Sequence, residues 1–99
     1  MDFKVVVTQA ALDDLDQIVG SISRDNPRAA RRLGVDLMQR AESLSGSPKR
    51  GMAMNARPGV RRLVRNPYLI IYRLDEDIRV VSILRFWHQS RELKSLRLD

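Results

Sequence analysis

The sequence predicts an α+β domain in which a helical hairpin packs on a largely antiparallel four-stranded sheet. Three observations carry that expectation. A short β-branched run opens the chain, two apolar stripes at three- and four-residue spacing follow, and the second half holds three apolar stretches parted by turn residues. The order β-α-α-β-β-β lets the helical pair bury one face of the sheet. Ninety-nine residues suffice for one core, so 1–99 reads as a single domain.

Phe3 to Thr8 is the first strand, short and rich in valine. Thr8 can cap a helix, because its hydroxyl accepts a hydrogen bond from an otherwise orphaned first-turn N–H. Leu12, Leu15, Ile18, Val19 and Ile22 then paint one face, with Asp13, Asp14, Asp16 and Gln17 directed elsewhere. Asp13 and Asp14 also bring negative charge to the positive end of the helix dipole. This helix is expected to stop near Arg24. Asn26 is placed to cap a second helix with Pro27 in its first position, and Ala30, Leu33, Leu37, Ala41 and Leu44 form its apolar stripe.

Gly46, Pro48, Gly51, Pro58 and Gly59 mark residues 46–59 as a loop, with Met52 and Met54 expected to fold back on the core. Val60 to Arg65 alternates loosely as a strand, with Arg61 and Arg65 on one side and Arg62 on the other. Asn66-Pro67 turns the chain into Tyr68 to Leu74, apolar on both faces and so central in the sheet. Asp75 to Asp77 is a polar turn. In the last strand, Ile78 to Trp87, strict alternation puts Ile78, Val80, Leu84 and Phe86 on one face and Arg79, Val81, Ile83, Arg85 and Trp87 on the other. His88 to Asp99 reads as a polar tail with helical spacing at Leu93 and Leu96. The helices are expected on one sheet face and the arginines on the other.

Composition narrows the chemistry. There is no cysteine and one histidine, which excludes disulfides, thiolate metal sites and multi-histidine sites; no metal or cofactor is expected. No apolar run approaches a membrane span, and Met1 to Thr8 lacks the form of a signal peptide. The net charge is +6, unevenly placed: residues 1–45 hold six basic and seven acidic side chains, residues 46–99 twelve and five. No acid occurs between Ser43 and Leu74, where Lys49, Arg50, Arg57, Arg61, Arg62, Arg65 and Arg73 fall. Such a field attracts nucleic acid or an acidic protein partner.

Several runs together resemble one family. The strand-hairpin-three-strand layout, the opening Val-Val-Thr-Gln-Ala-Ala-Leu-Asp-Asp-Leu and the Asp25-Asn-Pro-Arg-Ala-Ala step belong to the set. So do Arg62-Leu63 before Tyr68-Leu-Ile-Ile-Tyr-Arg and the closing Ile83-Leu-Arg-Phe-Trp-His88. Over residues 3–91 the chain resembles the RelE/ParE toxin superfamily. That resemblance implies a cytoplasmic growth inhibitor of a type II toxin–antitoxin pair, silenced in a hetero-oligomer by an acidic, ParD-like or similar antitoxin. ParE-like members inhibit DNA gyrase; RelE-like members cut mRNA in the ribosomal A site. A nontoxic nucleic-acid-binding module is the third reading that the basic half permits.

RNA cleavage requires a deprotonated 2′-hydroxyl, a protonated leaving oxygen and stabilised phosphorane charge. The resemblance offers Arg62, Arg73, Arg85, His88 and Arg91 for those roles. Against a nuclease, Leu69 stands where RelE-like enzymes usually carry arginine, and no tyrosine follows Tyr72. These departures favour the ParE-like branch. Tyr68 and Tyr72 share a face with Ile70 and Leu74, which suits core packing, and His88 suits a strand rim beside Leu84 and Phe86. Arg73 and Arg85 interrupt apolar strands and so require an anion, which for Arg85 could come from Glu92 or Asp99. The expected partner-binding residues are Arg61, Arg65, Arg73, Arg85, Trp87 and Arg91.

Overall fold

Strand β1 (Lys4–Val7) runs through Thr8 into helix α1 (Gln9–Ser23), and helix α2 (Pro27–Glu42) follows after a three-residue connection. The computed structural model describes residues 2–98. Both expected caps are in place. Thr8 Oγ1 accepts from the Ala11 N–H at 3.3 Å, and Asn26 Oδ1 accepts from the Ala29 N–H at 3.1 Å with Pro27 opening α2. A methyl group at Gly34 would stand 3.0 Å from Val19 Cγ2, so the glycine permits the close approach of the two helices.

Strands β2 (Met52–Ala53), β3 (Val60–Arg65), β4 (Tyr68–Asp75) and β5 (Val80–His88) complete a five-stranded sheet of order β1-β5-β4-β3-β2. β1 pairs parallel with β5, and the other pairs are antiparallel. The four expected strands are present. The fifth, β2, lies in the stretch expected to be loop. There the chain doubles back, Met54 N–H donates to Val60 O at 2.9 Å, and two residues gain sheet pairing at the edge.

The last strand departs from strict alternation at two points. It begins at Val80 rather than Ile78, because Asp75 Oδ1 accepts from the N–H groups of Asp77 and Ile78 and Arg79 adopts a left-handed φ of 55°. Ile78 is therefore exposed in the turn. Further on, Tyr72 pairs with Ile83 while the adjacent Ile71 pairs with Arg85, leaving Leu84 as an extra residue. This β-bulge reverses the facing of everything after it. Val81, Ile83 and Phe86 reach the helix-side core, whereas Leu84 and Trp87 reach the opposite one.

Two cores result. The larger joins Ala11, Leu37, Ala41 and Leu44 to Ile70, Tyr72, Val81, Ile83 and Phe86 beneath the helices. The smaller joins Val60, Leu69, Ile71, Leu84 and Trp87 on the other face, under Leu93, Leu96 and Leu98 of the C-terminal segment. That segment is a strap with a single 3-10 turn at Leu93–Ser95 rather than a helix. It is pinned to the sheet by backbone oxygens: Arg57 Nη2 donates to Leu96 O at 2.9 Å and Arg85 Nη1 to Arg97 O at 3.1 Å. The face without helices is thus an apolar surface with arginines at its margins, not the bare basic face expected from alternation.

Candidate functional site

β3 and β4 set out the strand arginines by alternation, and the partners of each decide what it can do. Arg61 and Arg65 point to the helix side. Arg61 Nη1 donates to Gly51 O at 2.7 Å, and Arg65 binds Asp36 on α2 together with its neighbour's carbonyl, Asn66 O. The Arg65 guanidinium holds the Asp36 carboxyl below the usual carboxylate range, with Arg40 adding to the effect. These two arginines tie the sheet to the loop and to α2.

Arg85 is anchored more deeply. Its Nε and Nη2 donate to the two carboxylate oxygens of Asp14 at 2.6 and 2.8 Å, and the Phe86 N–H donates to Asp14 Oδ2 at 3.1 Å. Because β1 ends at Val7, β5 would otherwise leave this edge unpaired; Thr8 and Asp14 satisfy it. The bond from Asp14 raises the already high pKa of Arg85. Asp14, expected to point away from the core, is only 8% exposed. It is the anion that the sequence reading sought in Glu92 or Asp99: Glu92 pairs with Lys94 instead, and Asp99 lies outside the described residues.

Trp87, expected at a partner surface, is 1% exposed, because the bulge turns its indole into the smaller core. Its Nε1 donates to Arg91 O at 3.3 Å, and the Arg91 guanidinium lies 3.8 Å from the ring centroid. Tyr72 is a core residue whose hydroxyl donates to Pro48 O at 2.7 Å and accepts from the Gly51 N–H at 2.9 Å. Burial pushes its phenol up from 10, so it is protonated at neutral pH. A methyl group on Gly51 would sit 2.7 Å from the Tyr72 hydroxyl, which explains a glycine at that position.

The five residues offered for RNA cleavage do not converge on one site: Arg85 and Arg91 meet over the Trp87 ring, 5.4 and 3.8 Å from its centroid, and the other three stand apart from them. His88 pairs with Tyr68 and sets its ring edge-on to that tyrosine, 5.2 Å between centroids, on the helix side of the sheet; its Nδ1 accepts from the Ser90 N–H at 3.1 Å. Leu84, expected beside it, is on the other face because of the bulge. Arg62 and Arg73 lie on the face without helices, in register with Ile71 and Val60. Neither makes an ion pair with a carboxylate among the described residues.

Around Arg62 that face opens into a groove of about 530 Å³, lined by Met52, Met54, Arg57, Arg62, Leu93 and Lys94 among others. Met52 does not fold back on the core but is 65% exposed at the groove wall, while Met54 packs against the smaller core. Arg57 and Arg73 also line a second depression with Val60 and Leu98. Aliphatic walls with guanidinium groups that meet no carboxylate, here Arg62 and Arg73, can seat an acidic segment that brings apolar anchors. Sequence reasoning missed Arg57, Met52 and Lys94. The acid-free stretch contained the first two, but nothing local brings Lys94 to them from the far end of the chain.

Known proteins share this framework. The chain matches, over residues 5–93, the family described as ParE toxin of type II toxin-antitoxin system, parDE. It is similar to two toxins of Caulobacter vibrioides: RelE1, 33% identical with 89% of this chain and 95% of the toxin covered, and RelE2, 37% identical with 89% and 97% covered. Among solved structures it resembles a chain of the chromosomal ParDE system from P. aeruginosa, with a TM-score of 0.74 at 23% identity, covering 87% of this chain and 95% of that one. It also resembles a chain of the toxin–antitoxin complex RelBE2 from Mycobacterium tuberculosis, with a TM-score of 0.69 at 27% identity, covering 89% and 99%. Matched over nearly its whole length in sequence and in fold, the chain belongs to the ParE/RelE superfamily of type II toxin–antitoxin toxins.

Proposed function

We propose that this toxin inhibits growth as ParE-like toxins do, by binding DNA gyrase in the cytoplasm, and that a cognate antitoxin neutralises it through an acidic segment seated in the Arg57–Arg62–Lys94 groove. One observation supports a binding toxin over a nuclease. The single histidine and the strand arginines Arg62 and Arg73 occupy opposite faces of the sheet, so the imidazole stands away from both. Arg85 is committed to Asp14 and Arg91 to Trp87, which further depletes the cleavage set. The solved relatives RelBE2 and ParDE are toxin–antitoxin systems, which supports an antitoxin partner here. The aliphatic walls of the groove, and the Arg62 guanidinium that meets no carboxylate among the described residues, suit the acidic, apolar-anchored segment of such a partner.

A second reading, a ribosome-dependent mRNA endoribonuclease, is favoured by the names RelE1 and RelE2 of the curated relatives. The two readings separate in one pair of assays on the purified chain: gyrase supercoiling and cleavage of ribosome-bound mRNA. The expected result is loss of supercoiling with intact mRNA, and growth inhibition that survives His88→Ala. Robust A-site cleavage with supercoiling untouched, falling about 10²-fold or more in His88→Ala or Arg62→Ala, would promote the nuclease.

A further inference from the structure

The tip of the helical hairpin carries a second cationic surface, remote in sequence from the basic half. Arg24, Arg28, Arg31 and Arg32 are all exposed, and none forms an ion pair among the described residues. Asp25 is the one acid between Gln17 and Val35. The near-neutral charge of residues 1–45 hides this, because four of its six basic side chains are at the tip and six of its seven acids are elsewhere. Arg28, Arg31 and Arg32 stand three and four residues apart on one face of α2 and, with Pro27, line one shallow depression. Arg28 also lies in the first turn of α2, where positive charge opposes the helix dipole and no acid offsets it. A cation held there against the local field, without an internal partner, has its natural counterpart outside the molecule.

We infer that the hairpin tip binds the phosphate backbone of duplex DNA without reading its sequence. The chemistry of the patch selects that partner over an acidic protein. A protein interface needs an apolar centre; Val35, one turn beyond Arg31 and Arg32, is the one large apolar side chain exposed on α2 among the described residues, and it borders the patch rather than centring it. The groove on the sheet has such a centre in Met52 and Leu93; the tip depression is lined by three guanidinium groups and Pro27, and guanidinium groups suffice for phosphates. The tip is also the exposed first turn of a helix. B-form DNA has a major groove about 12 Å wide that admits an α-helix, whereas the narrow major groove of duplex RNA does not. This contact is independent of the toxin's target and of the antitoxin groove.

The test titrates the purified chain with a random-sequence DNA duplex of about two helical turns, with duplex RNA and with polyglutamate, over a range of salt concentrations. Neutralising phosphates releases counterions, so log K should fall with log salt by about 0.9 for each phosphate engaged. The triple variant R28Q/R31Q/R32Q should bind the DNA duplex at least about tenfold more weakly, with a slope shallower by about 2.7, while R62Q/R73Q keeps the original slope. All substituted positions are outside the cores, and circular dichroism verifies the fold of each variant. An unchanged slope in the tip variant overturns the proposal. So does polyglutamate or duplex RNA binding as tightly as DNA through the same arginines, which would assign the tip to an acidic protein or to RNA. No gyrase, ribosome or antitoxin is present, so either outcome leaves the proposed target to be judged on its own assays.

Discussion

The two faces of the sheet are built from the same strands by the same alternation, yet their arginines have opposite fates. Under the helices, Arg61 and Arg65 are taken up by the Gly51 carbonyl and by Asp36, and the apolar residues between them sit in a dense core. On the other face, Arg62 and Arg73 meet no carboxylate among the described residues, and the core beneath them is covered by a strap of about ten residues rather than by a helix. Arg85 stands at the edge between the two and follows the helix-side rule, since α1 brings Asp14 to it. What separates the structural arginines from the others is therefore an acceptor brought in from another element: a helix carboxylate for Arg65 and Arg85, a loop carbonyl for Arg61. The helix face spends its charges on holding the fold, and the open face leaves Arg62 and Arg73 without a carboxylate among the described residues.

The largest test of this contrast is to remove the carboxylate at the edge. Asp14→Ala leaves Arg85 without its anion and the Phe86 N–H without an acceptor. Breaking a buried pair in this way should destabilise the domain by about 3 kcal/mol, read from urea unfolding. The same change in an Arg85→Met background should cost clearly less, because no unpaired charge remains; equal costs would mean that Asp14 acts on the Phe86 N–H alone.

A smaller effect is expected on the open face. Leu96 is 3% exposed in the strap, and Leu96→Ala should cost about 2 kcal/mol, the low end for a buried leucine, since the site borders solvent and can relax. Hydrogen exchange should show the Arg91–Leu98 amides losing protection while β4 and β5 keep theirs. Uniform loss across the chain would show instead that the two cores unfold as one unit.

The smallest effect concerns the half-buried Arg65–Asp36 pair. Asp36 is held below its unfolded value, so its contribution to stability is present above about pH 4 and is lost as pH falls through the lower folded value. Asp36→Asn should therefore lower stability slightly at neutral pH and flatten the acid limb of the stability profile below pH about 4. An acid limb identical to that of the parent would remove Asp36 from the account.

Much of this molecule was decided within short stretches of sequence. As caps, Thr8, Asn26 and Pro27 act on groups within three residues of themselves, and the stripes on α1 and α2 need only helical periodicity, so both helices and their ends were legible. The apolar run from Tyr68 to Leu74 marked the central strand, and the quoted motifs marked the family. Tertiary structure decided the rest. The bulge at Leu84 depends on how β5 meets β4, and it alone sends Trp87 to the open face and Phe86 beneath the helices. The pairing of Arg85 with Asp14 spans 71 residues, and the groove joins Met52 and Arg62 to Lys94 across a sheet and a strap. Alternation tells which residues share a face only while pairing is regular, and charge counts tell how many cations exist but not which have found a carboxylate. Those two facts are properties of contacts, and contacts between distant residues exist only once the chain has folded.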